Sequence, residues 1–323
     1  MADTILSVRN LDMHFPKGRK GKGGVVKAVD DVSFDVIRGE TFGIVGESGS
    51  GKTTLGRAIL RIIDPTGGAV AFNGKGREPV DVTAADKAAL RRLWQDIRMV
   101  FQDPQSSLNP RLPVIELVGQ CLRASEGLSG QALADRVSRL LLQVGLRPEV
   151  LHRYAGAFSG GQRQRIGIAR ALAPGPELVI ADEAVSALDV SIQAQTLNLL
   201  QDLQEEFDLT YVFIAHDLAV VEHICDRVAV MYRGRIVELA PREALFSAPA
   251  HPYTRALLEA APVPDPRARK ARRKAEPVPT EVITKGCAFA PRCAHAQAIC
   301  RAERPPSKQL GAAQVLCHFA GEI

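Results

Sequence analysis

"TFGIVGESGSGKTTLGRAILRII" (residues 41–63) sets a glycine-rich loop between an apolar run and a helical pattern. The run from Thr41 to Gly46 is apolar almost throughout instead of alternating, as expected of a strand buried on both faces of a parallel sheet. Gly46, Gly51, Lys52 and Thr53 then fill G-x-x-x-x-G-K-[ST], with Glu47, Ser48, Gly49, Ser50 and Thr54 completing the loop. The glycines let backbone N–H groups close around phosphates. Lys52 offers a point charge to the β- and γ-phosphates, and the Thr53 hydroxyl is placed for Mg²⁺.

Outward from this loop, strand-like apolar runs recur at 97–102, 177–182, 210–216 and 227–232, with helical patterns between them. One such helix carries Leu133, Val137, Leu140, Leu141 and Val144 on a single stripe, with Gly145 as its stop. The alternation predicts an α/β fold, and the G-x-x-x-x-G-K-[ST] loop places it among the P-loop NTPases. A helical subdomain is expected at about 104–165, where no strong strand occurs. "LVIADE" (178–183) runs an apolar strand into two carboxylates. Asp182 is the candidate for the magnesium shell and Glu183 the candidate general base for an attacking water.

No apolar run reaches the roughly 18–20 residues of a membrane span, and the first ten residues lack the basic-then-apolar order of a secretory signal. A cytosolic protein is therefore expected. The net charge of +5 comes largely from two short runs, "KGRKGK" (17–22) and "RARKARRK" (267–274), which read as solvated loop or linker. After "HPYTRALLEAAP" (251–262) the composition shifts to proline, alanine and basic residues. The expected division is a main domain over 1–262, a linker over 263–282 and a cysteine-bearing extension over 283–323.

"AFSGGQRQRIGIARAL" (157–172) looks like a second phosphate site, because Ser159, Gly160 and Gly161 stand where a helix would begin. With that segment the ordered series is complete: "GESGSGKT", "FQDP", "FSGGQRQR", "ADEAVSALD", "IAHD". The chain resembles the nucleotide-binding subunit of an ABC transporter over about residues 5–262. The resemblance implies that two ATPase domains pair head to tail, so that Ser159, Gly160, Gly161 and Gln162 would hold the γ-phosphate of ATP bound to the partner. It implies that Gln102 touches Mg²⁺ and the attacking water, that His216 steadies that water with Glu183, that Asp189 crosses to the opposite protomer, and that Phe15 stacks on adenine. Ala184-Val185 stands where the family usually has Pro-Thr, and Phe158 replaces a leucine; neither departure removes a group of the phosphate chemistry.

"FQDPQSSLNPR" (101–111), "SALDVSIQAQ" (186–195) and "APAHPYTRALLEA" (248–260) narrow the resemblance to the oligopeptide and dipeptide importers, a branch that includes nickel and glutathione systems. It implies a second, related ATPase subunit in a heterodimer or homodimer, two membrane permease subunits, an external solute-binding protein and a place at the cytoplasmic face of the inner membrane, with no nucleic acid. The rival reading is a soluble ABC ATPase acting on nucleic acid or ribosomes.

Cys287, Cys293, Cys300 and Cys317 follow C-x5-C-x6-C-x16-C. Four cysteines match either tetrahedral zinc or a [4Fe–4S] cluster. The lack of tight C-x2–4-C pairs leans to the cluster, and so does the resemblance; zinc, disulfides and free thiols remain alternatives. A tail this short has little core of its own, so metal is expected to fold it.

Overall fold

The computed structural model describes residues 3–17, 24–103, 107–260, 283 and 285–322. The expected linker, the run at 267–274 and all but Lys17 of the run at 17–22 lie outside the described residues.

Strands β1 (Thr4–Pro16) and β2 (Val25–Ile37) form an antiparallel ribbon. The chain then enters β3 (Thr41–Val45), turns through the phosphate loop into the helix Lys52–Ile59, and returns to the first sheet as β4 (Gly67–Phe72) and β5 (Val80–Asp81). That sheet has the order β2-β1-β4-β5. The second sheet collects β6 (Ile97–Val100), β7 (Leu178–Asp182), β8 (Thr210–Ala215), β9 (Arg227–Tyr232), β10 (Arg235–Pro241), β11 (Ser307–Leu310) and β12 (Ala313–Leu316). Its order is β11-β12-β10-β9-β3-β8-β7-β6. The five strands from β9 to β6 run parallel, and the other three join antiparallel.

Every residue of β3, β7 and β8 is buried, which is why these runs show no polar alternation. Successive side chains of a strand point to opposite faces, so one strand feeds two cores. Leu178, Ile180, Val212 and Ile214 pack towards the antiparallel sheet and the helix Lys52–Ile59, where Phe34 stacks on Phe42 at 4.9 Å. Val179, Ala181, Tyr211 and Phe213 pack on the opposite face, among the remaining helices.

The expected helical region holds Val114–Glu126, Gly130–Gln143 and Gly160–Leu172. The apolar stripe of the second of these is buried as its spacing requires, at Leu133, Val137, Leu140 and Leu141. Gly145, at φ +72°, ends it. The third helix runs on to Leu172 without a break at 165.

The tail behaves differently from expectation. Its hairpin continues the main sheet, with β12 paired to β10 through Glu238↔Val315 and Leu239↔Gln314. Val315 is fully buried, and Phe289 meets Tyr232 and Tyr253 at 5.5 and 5.4 Å. The tail shares the main core, so metal is not all that holds it.

Candidate nucleotide site

The carboxyl ends of four neighbouring parallel strands deliver the polar groups. Gly46 follows β3, His216 follows β8, Asp182 ends β7 with Glu183 next, and Gln102 lies just past β6. In an open α/β sheet this edge is where ligands bind.

The phosphate loop needs glycine at two close approaches. A Cβ on Gly46 (φ +153°) would stand 2.1 Å from the Met231 carbonyl, and one on Gly51 (φ +105°) 1.9 Å from that of Ala28. Lys52 is buried and donates from Nζ to the carbonyls of Gly46 (2.8 Å) and Glu47 (3.1 Å), its ammonium curled inside the loop. Burial pushes its pKa down, and Glu183, Asp182 and Glu47 oppose that.

Thr53 Oγ1 donates to Asp182 Oδ1 at 2.9 Å. Asp182 is 1% exposed, and burial, reinforced by Glu183, raises its pKa against the Thr53 hydrogen bond. Glu183 sits in the left-handed region at φ +46°, unusual for a residue with a side chain, and its N–H donates to Ile214 O at 2.9 Å. That bend turns its carboxylate out of the strand. Oε2 there accepts from Gln102 Nε2 at 2.8 Å and lies 3.2 Å from His216 Nδ1.

Lys52, Thr53, Gln102, Glu183 and His216 line one cleft of about 970 Å³ with Ser48, Gly49, Gly51, Thr54, Val26, the cations Lys17, Lys27, Arg233 and Arg235, and Asp30, which pairs with Lys27 and Arg235. The four cations escaped the sequence reading, which took Lys17 as part of a solvated run and had no motif for the others. Phe15 is 39% exposed and pairs across the ribbon with Val26, at the margin of the cleft instead of in its lining.

Ser159, Gly160, Gly161 and Gln162 are not among the residues lining that cleft. Ser159 starts the helix Gly160–Leu172 with a reciprocal capping box: its Oγ accepts from Gln162 N at 3.3 Å, and Gln162 Oε1 accepts from Ser159 N at 3.1 Å. A Cβ on Gly161 would meet Ile192 Cγ2 at 2.7 Å, so this helix start abuts the helix Val190–Phe207. Asp189 caps the latter, its Oδ1 accepting from Ile192 N at 3.0 Å, and Val190 beside it is 84% exposed.

Residues 29–186 match the family model described as "ABC transporter", and residues 237–300 match "Oligopeptide/dipeptide transporter, C-terminal region". The chain is 54% identical to a "probable peptide ABC transporter ATP-binding protein" of Sinorhizobium fredii, across 95% of this chain and 87% of that protein. The chain belongs to the ABC transporter ATP-binding proteins. It is also 47% identical to the oligopeptide transport ATP-binding protein AppF of Bacillus subtilis, across 98% of each. Among solved structures, the dimeric post-hydrolysis state of the ATP-binding cassette MJ0796 with ADP and Pi superposes with a TM-score of 0.65 at 27% identity, covering 74% of this chain and 99% of that one. As a member of this family the chain is an ATP hydrolase, which requires ATP and Mg²⁺ and works with membrane permeases. No helix among the described residues of this ABC ATPase is long and apolar enough to cross a membrane itself.

The branch-specific His-Pro-Tyr segment of the ABC ATPase is pinned from both ends. Glu238, fully buried on β10, accepts from the N–H groups of Ala250 and His251 at 2.8 and 2.9 Å. Tyr253 Oη accepts from the N–H of Glu47 at 2.9 Å, inside the phosphate loop. Beside this segment Cys287, Cys293, Cys300 and Cys317 line one small pocket with His251 and Phe289, and all six cysteines of the chain are unpaired thiols. The disulfide alternative has no counterpart here.

Proposed function

We propose that this ABC ATPase is the ATP-hydrolysing subunit of an importer for di- and oligopeptides, acting in a pair whose two ATP sites are each built from both subunits. The observation that carries the hydrolytic role is the convergence of Gln102 and His216 on the Glu183 carboxylate, beside the Thr53–Asp182 pair. Glu183 takes the proton of the attacking water, and Gln102 and His216 orient that carboxylate. Lys52 holds the β- and γ-phosphates, and Lys17 and Arg233 add attraction for the nucleotide, Lys27 and Arg235 being paired with Asp30.

Thr53, Asp182 and Gln102 suit Mg²⁺, because all offer oxygen donors and a buried carboxylate with a raised pKa calls for a neighbouring cation. Bound Mg²⁺ would neutralise charge on the phosphates. Two features support pairing. The capped Ser159 helix start is an anion site outside the cleft of its own chain, and the similar cassette MJ0796 is described as dimeric. The names of the relatives and the match over 237–300 support peptides as cargo and a place beneath membrane permeases.

Cys287, Cys293, Cys300 and Cys317, which line one small pocket, would be the ligands of a [4Fe–4S] cluster. Burial pushes the thiols of Cys287, Cys293 and Cys317 up, so positive charge is what would hold them as thiolates. A single tetrahedral zinc needs sulfurs about 3.8 Å apart. Among the described residues, the metal-ligating side chains with three atoms within 4.8 Å of one another are Asp12, His14 and Asp30, and no cysteines. A cluster would staple residues 287–317 into one unit.

Uptake of labelled di- and tripeptides, nickel and glutathione by cells lacking the chain tests the transport reading. Restoration of peptide uptake by the wild-type chain, and not by Glu183→Gln, is expected. Unchanged peptide uptake in the deletion strain overturns it.

A further inference from the structure

Glu47 is the second residue of the phosphate loop, and a carboxylate is a poor neighbour for a triphosphate. Its backbone is fixed by Tyr253, and its side chain is fixed by the tail. Arg292 Nη1 and Nη2 donate to Glu47 Oε2 and Oε1, both at 2.9 Å. This fork-to-fork geometry sets the direction of the carboxylate as well as its charge. The guanidinium is itself held: it lies 5.8 Å from the ring centre of Tyr232 and 5.5 Å from that of Phe289. Arg292 therefore reaches the loop from a short turn that ends at Cys293 and packs on the main core.

Glu47 is close enough to Lys52 to act on its charge, as Glu183 and Asp182 do. A carboxylate released from Arg292 would have two effects of one sign. It would compete with phosphate for the Lys52 ammonium, and it would repel the phosphate directly. We propose that Arg292 is a positioning residue for ATP, holding the Glu47 carboxylate away from the phosphate cradle so that Lys52 remains available to the nucleotide. The tail thereby supplies part of the ATP site's electrostatics across 245 residues of sequence.

This inference rests on the nucleotide site described above. Its test is equilibrium binding of Mg-ATP to the full chain, purified anaerobically, at low and high salt. Arg292→Gln weakens binding about 5-fold, the scale of a partly exposed ion pair. The double variant Glu47→Gln/Arg292→Gln returns to within about two-fold of wild type, because the unpaired carboxylate is gone. The loss in Arg292→Gln shrinks at about 0.5 M salt, which screens like-charge repulsion. A purely structural docking role would leave the double variant as weak as the single one and insensitive to salt. That result overturns the proposal, as does wild-type affinity in Arg292→Gln. Should Arg292→Gln not fold, Arg292→Lys keeps the charge without the fork: about two-fold weakening, relieved by Glu47→Gln, is expected, and no change overturns the proposal. Failure of the wild-type chain itself to bind ATP overturns the site and this inference together.

Discussion

Gln102 Nε2 donates to Glu183 Oε2 at 2.8 Å although 81 residues separate the two. Their strands β6 and β7 are adjacent and parallel, with Val100 opposite Ala181, so both side chains emerge at one edge. Replacing Glu183 by Gln keeps the shape and removes the base. We expect kcat to fall about 10²- to 10⁴-fold while ATP affinity changes little. Steady-state hydrolysis and equilibrium nucleotide binding check this, and undiminished turnover removes Glu183 from the role.

Thr53 and Asp182 share a hydrogen bond at the proposed Mg²⁺ site. Asp182→Asn should weaken Mg²⁺ affinity about 10- to 100-fold, the range for groups that support a metal site. The readout is ATP affinity with Mg²⁺ against ATP affinity with EDTA. Wild type shows a difference and the variant loses it; an equal difference in both contradicts the assignment.

Much of this site was legible because its chemistry is local in sequence. The phosphate loop and the carboxylate pair each lie within a few residues, and each sits on an element whose apolar pattern was readable. The parts that escaped depend on tertiary contact. Arg292 and Tyr253 reach Glu47 from the far end of the chain, and Arg233, in the turn between β9 and β10, and Arg235, at the start of β10, enter the cleft. The first sheet also went unread. In β1 the buried and exposed residues alternate irregularly, because bulges shift its pairing with β2 at several points. The tail was misjudged for a related reason: its hairpin alternates weakly, and only the open edge of β10 gives it a partner.

His251 offers a pH test. It is 1% exposed, its Nδ1 accepts from Tyr253 N at 3.0 Å, and burial lowers its pKa from 6.5 to about 4. The unfolded chain takes up this proton near its ordinary pKa, whereas the folded chain resists it. The contribution is thus full above pH 6.5 and is lost as pH falls towards 4, by about 3 kcal/mol at most. Urea midpoints measured from pH 8 to 4 should fall less steeply for His251→Gln than for wild type. Parallel curves contradict this.

The cysteines and the hairpin separate metal binding from folding. Serine at Cys287, Cys293, Cys300 and Cys317 should abolish iron and sulfide in anaerobically purified protein, yet leave slow hydrogen exchange at 313–316, where β12 pairs with β10. Val315→Asp, which buries a charge at a fully buried site, should lose that protection. Stoichiometric zinc without iron in the wild type ends the cluster proposal.

ATP as the joint between two subunits is the claim on which transport depends. Light scattering of the Glu183→Gln chain with its mate, Mg²⁺ and ATP measures it most directly. The mass should double with ATP, revert when nucleotide is removed, and fail to double when Ser159→Arg blocks the helix start. Subunits that stay apart at saturating ATP contradict the account.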